Sequence, residues 1–140
     1  MPHASSKLLR FTFKYQNNSK TPDIPIRFIG ENGNETQLFY AILDSGADEV
    51  SIPKKLADYL GQSLTPRKSK IHTAGWQVDA FSTKVHFFIG RGGREVEYKD
   101  IEACVIDRDM PVLVGIYPVF EDYDVTISAS STKVTMVPHK

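Results

Sequence analysis

One cysteine, Cys104, stands among 140 residues. No intrachain disulfide can form, and no zinc site built from several thiolates is possible. Neither His-x-x-x-His nor Cys-x-x-Cys spacing occurs, so no metal and no cofactor is expected. An excess of one charge is lacking too: 17 Lys and Arg face 17 Asp and Glu, a formal net charge of zero. A broad basic face for nucleic acid or anionic lipid is therefore not expected. Long apolar runs are missing as well. Met110 to Phe120 is the longest uncharged stretch of the second half, and Gly115 and Pro118 interrupt it. A membrane span needs about 20 apolar residues. Residues 1–6 carry no apolar run of the signal-peptide kind. These absences lead to the expectation of a cytoplasmic chain with neither nucleic acid nor membrane as a partner.

What is present is the makeup of a soluble globular protein, 41% apolar and 24% charged. The length suits one domain over residues 1–140, with 1–7 as a flexible tail. Leu9, Phe11, Phe13 and Tyr15 alternate with polar residues at the period of a half-buried strand. Ile24 to Ile29 reads as a strand, and Asn32-Gly33 is a hairpin signal before a strand over Thr36 to Leu43. Pro53 suits the first turn of a short helix. Leu56, Tyr59 and Leu60 follow at helical spacing, and Gly61 is placed to end it. Ile71 to Phe88 reads as a hairpin turning near Gly75, with Val85, Phe87 and Ile89 on one face. Gly90 to Gly93 is a turn, Glu95 to Asp107 alternates again, and Val112-Leu113-Val114 is a compact buried run. Pro118 opens a second helical turn, and Val125, Ile127, Val134 and Met136 mark a last hairpin. Many short strands and little helix predict an all-β chain, a small closed barrel with one or two short helices.

Within this pattern Phe39-Tyr40-Ala41-Ile42-Leu43 runs straight into Asp44-Ser45-Gly46-Ala47-Asp48. An apolar strand that ends in Asp sets a carboxylate at the rim of a packed core, where its protonation becomes adjustable. The serine hydroxyl can brace the loop, and glycine lets another backbone approach closely. Taken alone, Asp-Ser-Gly is also ordinary turn chemistry.

The order of features over roughly residues 24–127 resembles the retropepsin-like aspartic proteases, single-lobe relatives of pepsin. The residues that carry the resemblance are Ala41-Ile42-Leu43-Asp44-Ser45-Gly46-Ala47-Asp48, a following helix, a hairpin with Gly75 at its tip, and Val112-Leu113-Val114-Gly115. The resemblance implies a barrel of the retropepsin type that works as a homodimer, each subunit giving one catalytic aspartate. It implies an aspartic endopeptidase acting on a polypeptide substrate. The chain holds a single Asp-[Ser/Thr]-Gly, so a dyad of carboxyls needs a two-fold axis beside Asp44. By the same resemblance Asp44, Ser45 and Gly46 are the catalytic set. Ile42, Ala47, Asp48, Gly75, Trp76, Pro111 and Leu113 would meet the substrate, with His72 to Val78 as a flap over it. Retroviral members usually carry Arg after the late glycine, where this chain has Ile116. That Arg normally pairs with the aspartate matched by Asp48, so Asp48 here faces solvent or finds another partner.

Other features have plainer readings. His72 reads as a polar loop residue, and His3 and His139 as solvated ends. His86 reads as a sheet residue, and Cys104 as a small core residue. Arg67, Lys68 and Lys70 read as a solvated basic loop, and Arg91-Gly92-Gly93-Arg94 as a hairpin turn. Two rival functions remain at this point. One is an inactive retropepsin-like module that binds peptides or dimerises. The other is a barrel that binds nucleic acid through Arg91, Arg94 and the Lys68 region, which the neutral charge disfavours.

Overall fold

The computed structural model describes residues 1–16, 20–67, 71–73 and 76–139, with 71–73 and 76–78 described by their backbone. In chain order the elements are β1 (Phe11–Lys14), β2 (Asp23–Ile29), β3 (Phe39–Leu43), β4 (Val50–Pro53), α1 (Lys54–Tyr59), β5 (Thr65–Pro66), β6 (Ile71–Thr73), β7 (Trp76–Val78), β8 (Ala80–Arg91), β9 (Arg94–Ile106), β10 (Leu113–Val114), α2 (Val119–Asp122), β11 (Tyr123–Ser128) and β12 (Lys133–Pro138).

Six strands close a barrel. The hydrogen-bonded order β2-β3-β10-β4-β9-β8 returns to its start because β2 also pairs with β8. This is the all-β closed barrel with two short helices that the sequence predicts. Its longest hairpin, β8–β9, turns on Gly92 and Gly93, whose φ angles of +63° and +81° suit a two-residue connection. The inward residues of the hairpin, all buried, are Val85, Phe87 and Ile89 on β8 and Val96, Tyr98, Ile101, Ala103 and Val105 on β9, where the alternation slips by one residue between Tyr98 and Ile101 at a bulge. Phe87 stacks on Tyr98 with ring centres 5.1 Å apart, and Phe28 tilts against Phe87 at 5.6 Å. No helix among the described residues is long and apolar enough to cross a membrane.

Several local expectations shift. The strand predicted from Thr36 starts at Phe39. Thr36 still meets β2, with one backbone and one side-chain bond: its N–H donates to the Phe28 carbonyl at 3.0 Å, and the Phe28 N–H donates to Thr36 Oγ1 at 2.9 Å. Pro53 sits one residue before α1 in extended backbone rather than inside its first turn. On α1 the inward residue is Ala57, while Tyr59 faces out and its hydroxyl donates to the Glu35 carbonyl at 3.0 Å. The single hairpin expected over Ile71 to Phe88 is two pieces. β6 and β7 pair only with each other, and beyond Asp79 the chain changes partner, so that Ala80 lies opposite Ile106 on β9.

Outside the barrel, β1, β12 and β11 form a three-stranded sheet that buries Phe11, Phe13, Val134 and Met136. Where the sequence predicts a loose end over residues 1–7, residues 3–6 are fastened. The His3 and Ala4 N–H groups donate to the Asp122 carboxylate at 2.9–3.0 Å. The Ser5 N–H donates to the Glu97 carbonyl at 2.8 Å, and the Glu97 N–H to Ser6 Oγ at 2.8 Å. Local hydropathy carries no trace of such partners, which lie more than ninety positions away in the chain.

Candidate active site

β3 is the arm that delivers Asp44. β10 runs parallel beside it, with Leu113 opposite Ile42 and Val114 opposite Leu43. The Ile42 N–H donates to the Val112 carbonyl at 2.9 Å and the Asp44 N–H to the Val114 carbonyl at 3.0 Å. The backbone of Asp44 is therefore held to the end of the β10 ladder. The chain then turns: the Ala47 N–H returns to the Asp44 carbonyl at 3.0 Å, and the Gly46 N–H donates to Asp44 Oδ1 at 2.9 Å. One carboxylate oxygen is thus oriented by its own loop, a common use of Asp in turns. No other side-chain hydrogen bond to Asp44 is present among the described residues.

The segment after β10 braces the far side of this loop. The Ile116 N–H donates to the Ala47 carbonyl and the Tyr117 N–H to the Asp48 carbonyl, both at 2.9 Å. Glu49 and Tyr117 form an isolated parallel bridge. Gly115 makes this approach possible. A Cβ there would strike the Ala47 and Glu49 carbonyl oxygens inside any contact real side chains make, so only glycine fits.

The sequence-predicted residues fall as follows. Asp44 is half-buried, Ser45 and Gly46 are exposed, Ala47 is half-buried and Asp48 is exposed. Ile42 and Leu113, half-buried, lie side by side on the paired strands. Pro111 is exposed and lines an apolar groove of about 480 Å³ with Leu38, Phe39, Tyr40, Leu56 and Met110. Gly75 lies outside the described residues. Trp76 is described by its backbone, paired with Thr73 across the β6–β7 hairpin. Asp44, Ser45, Gly46, Ala47, Ile42 and Leu113 thus share one corner of the barrel.

One group in this corner departs from the sequence reading, and a second, Cys104, is the buried core residue expected. Arg67, assigned above to a solvated basic loop, is instead half-buried: Arg67 Nη2 lies 2.6 Å from Glu49 Oε1, and Arg67 Nε donates to Ser82 Oγ at 2.9 Å. Lys68 and Lys70 lie outside the described residues. Cys104 is buried, in a small cluster with Ala80, Ile106 and Met110. Burial pushes its thiol upward, the Arg67 charge opposes this, and the Glu49 charge adds to it. Opposite charges spaced along the sequence, Glu49 against Arg67, were the one available hint of this pair. Among the described residues no three His, Cys, Asp or Glu side chains gather as metal ligands would.

With this geometry in view, the chain is similar in structure to a retropepsin-like aspartic protease from Rickettsia conorii. The TM-score is 0.67 at 18% identity, covering 92% of this chain and 99% of that one. It is also similar to the EIAV protease complexed with the inhibitor HBY-793, with a TM-score of 0.49 at 20% identity over 76% of this chain and 92% of the other. No family model matches the sequence, and no curated protein does. The likeness to the rickettsial structure, over nearly the full length of both chains, shows that this barrel has the retropepsin-like fold.

Proposed function

We propose that the chain is an aspartic endopeptidase that acts as a homodimer, with one Asp44 carboxyl from each copy flanking the attacking water. The observation that carries this reading is the state of Asp44. Its backbone is pinned at the strand end, one carboxylate oxygen is oriented by Gly46, and the loop around it is open to a partner. The rickettsial neighbour is a protease of the same fold, which supports the reaction class.

Peptide hydrolysis by two carboxyls needs one as a base toward water and the other, protonated, as an acid toward the carbonyl oxygen. Two carboxyls about 3 Å apart share a proton, and their titration belongs to the pair. Aspartic proteases are the standard illustration of that pattern, and here it sets an expectation of activity on the mildly acidic side. Ser45, exposed beside Asp44, would brace the two loops across the axis. Gly46 would offer its carbonyl to an extended peptide, and Ala47 and Asp48 would meet the substrate main chain. Ile42, Leu113 and Pro111 would wall the side-chain pockets. The β6–β7 hairpin, with Gly75 and Trp76, would cover the bound strand and exclude water.

The test is a mixed peptide library incubated at several pH values, with and without a pepstatin-type inhibitor, beside measurement of oligomeric state. Cleavage that needs Asp44 and a dimer supports the proposal; cleavage that survives Asp44→Asn overturns it. A second reading, a peptide-binding module without hydrolysis, is favoured by Ile116. At that position only a backbone N–H, not an arginine, reaches the loop, and Asp48 is left exposed. Peptide binding with no product at any pH would select it.

A further inference from the structure

We propose that Arg67 is a positioning residue that fastens the Asp44 loop to the ribbon from which the β6–β7 hairpin springs. The inference rests on the protease reading only for its effect on turnover; the fastening itself is read separately.

The argument starts from where Arg67 stands. β5 and β8 form a short antiparallel ribbon, Thr65 opposite Ser82 and Pro66 opposite Phe81. The Arg67 N–H continues it, donating to the Ala80 carbonyl at 2.9 Å. One residue before Ala80 is Asp79, and before that is Val78, the last residue of β7. Arg67 therefore marks the root of the hairpin. From that root its guanidinium reaches two ways, to Ser82 Oγ on β8 and to Glu49 Oε1. Glu49 closes the run Asp44-Ser45-Gly46-Ala47-Asp48-Glu49, and its backbone is pressed on Gly115 and bridged to Tyr117. Three backbone segments, the catalytic loop, β8 and the hairpin root, thus meet on one planar cation. Arginine suits this because its fork donates in fixed directions, where lysine is a single mobile point charge.

An exposed ion pair would do little of this kind. Here the two side chains keep only 29% and 24% of their surface, so the charges are partly withdrawn from water and the contact is short. The pair also has a floor. On β9, Cys104 lies opposite Ser51 of β4 on one side and Ser82 of β8 on the other, and it is buried. The pair adds a side-chain brace, from another part of the chain, to the backbone bonds that Ile116 and Tyr117 give the same loop.

The molecule carries two built-in reporters, its only tryptophan, Trp76 on the hairpin, and its only cysteine, Cys104 under the pair. Arg67→Met, Glu49→Gln and the double variant would be compared with the parent protein. The readouts are acrylamide quenching of Trp76 fluorescence, the rate of Cys104 labelling by Ellman's reagent, and peptide kinetics. Either single change should speed labelling about tenfold and raise Trp76 quenching, since local opening becomes easier. The double variant should do no more than either single one, because the contact is shared. KM should rise severalfold with kcat nearly unchanged, and Arg67→Lys should recover only part of the loss. Labelling, quenching and KM all at parental values in correctly folded Arg67→Met and Glu49→Gln would overturn the proposal. Altered labelling and quenching in a protein that cleaves nothing would support the fastening while defeating the protease reading.

Discussion

Two aspartates lie at opposite ends of this molecule's chemistry. Asp122, in α2, is buried to 3% exposure, and its carboxylate accepts the His3 and Ala4 N–H groups and the Tyr98 hydroxyl. Its own carbonyl accepts the His139 N–H at 2.9 Å, so both ends of the chain are drawn to one residue. Asp44 is half-buried at the tip of a strand, with one donor on one oxygen. The lesson is in the count of satisfied lone pairs. A carboxylate takes about four hydrogen bonds. Where the fold supplies most of them, the group is committed to structure. Where the fold orients the carboxylate and leaves it short, it is free for water and substrate.

The strongest way to break this contrast is Asp44→Asn. Under the protease reading cleavage should fall at least about a thousandfold, because an amide can neither take nor share the proton. The thermal midpoint should hardly move, since little in the fold leans on the side chain. A large loss of stability would erase the distinction between the two residues. Asp122→Ala tests the other half. It strands two backbone N–H donors and a buried tyrosine hydroxyl, and should cost about 3 kcal/mol, or roughly 10 °C in the midpoint. Differential scanning calorimetry would measure both.

A smaller change sharpens the same point. Tyr98→Phe keeps the ring stacked on Phe87 and removes one donor from Asp122. A loss of about 1 kcal/mol is expected. The residue is far from the Asp44 loop in its bonding, so peptide cleavage at saturating substrate should be unchanged.

The sequence makes one of these aspartates legible and hides the other. Asp44 follows an apolar strand and leads Ser45-Gly46, so a local pattern announces it. The barrel is legible for the same reason: Val85, Phe87 and Ile89, or Val96 and Tyr98, alternate with polar neighbours over many residues. Asp122 sits in a four-residue helix with no periodicity, and its partners His3 and Ala4 come from the far end of the chain. Arg67 hides likewise. Beside Lys68 and Lys70 it reads as one more solvated cation, and only the closed barrel brings it to Glu49. Strand boundaries failed where a side chain shares the pairing with the backbone, as Thr36 does with Phe28, or where a strand changed partner, as beyond Asp79. Contacts made by tertiary closure leave no local period to read.

The finest test is the response to alkali around Asp122. Burial, reinforced by the Asp122 charge, pushes the Tyr98 hydroxyl far above its ordinary range. Burial first, with Asp122 adding, pushes Tyr123 up to about 12, and its hydroxyl donates to the Leu9 carbonyl at 2.7 Å. In the unfolded chain both would ionise near pH 10. The folded state holds its protons longer, so this contribution to stability is whole below about pH 10 and is lost as pH climbs from there toward 12. Titration followed by tyrosinate absorbance should therefore find these two among the last of the six tyrosines to ionise while the fold persists. The midpoint should fall between pH 9 and 11, and fall less in Tyr98→Phe, which has one such proton fewer to lose. An equal fall in both proteins would mean that the Tyr98 hydroxyl is not sealed against Asp122, and the contrast between a spent carboxylate and an open one would lose its structural half.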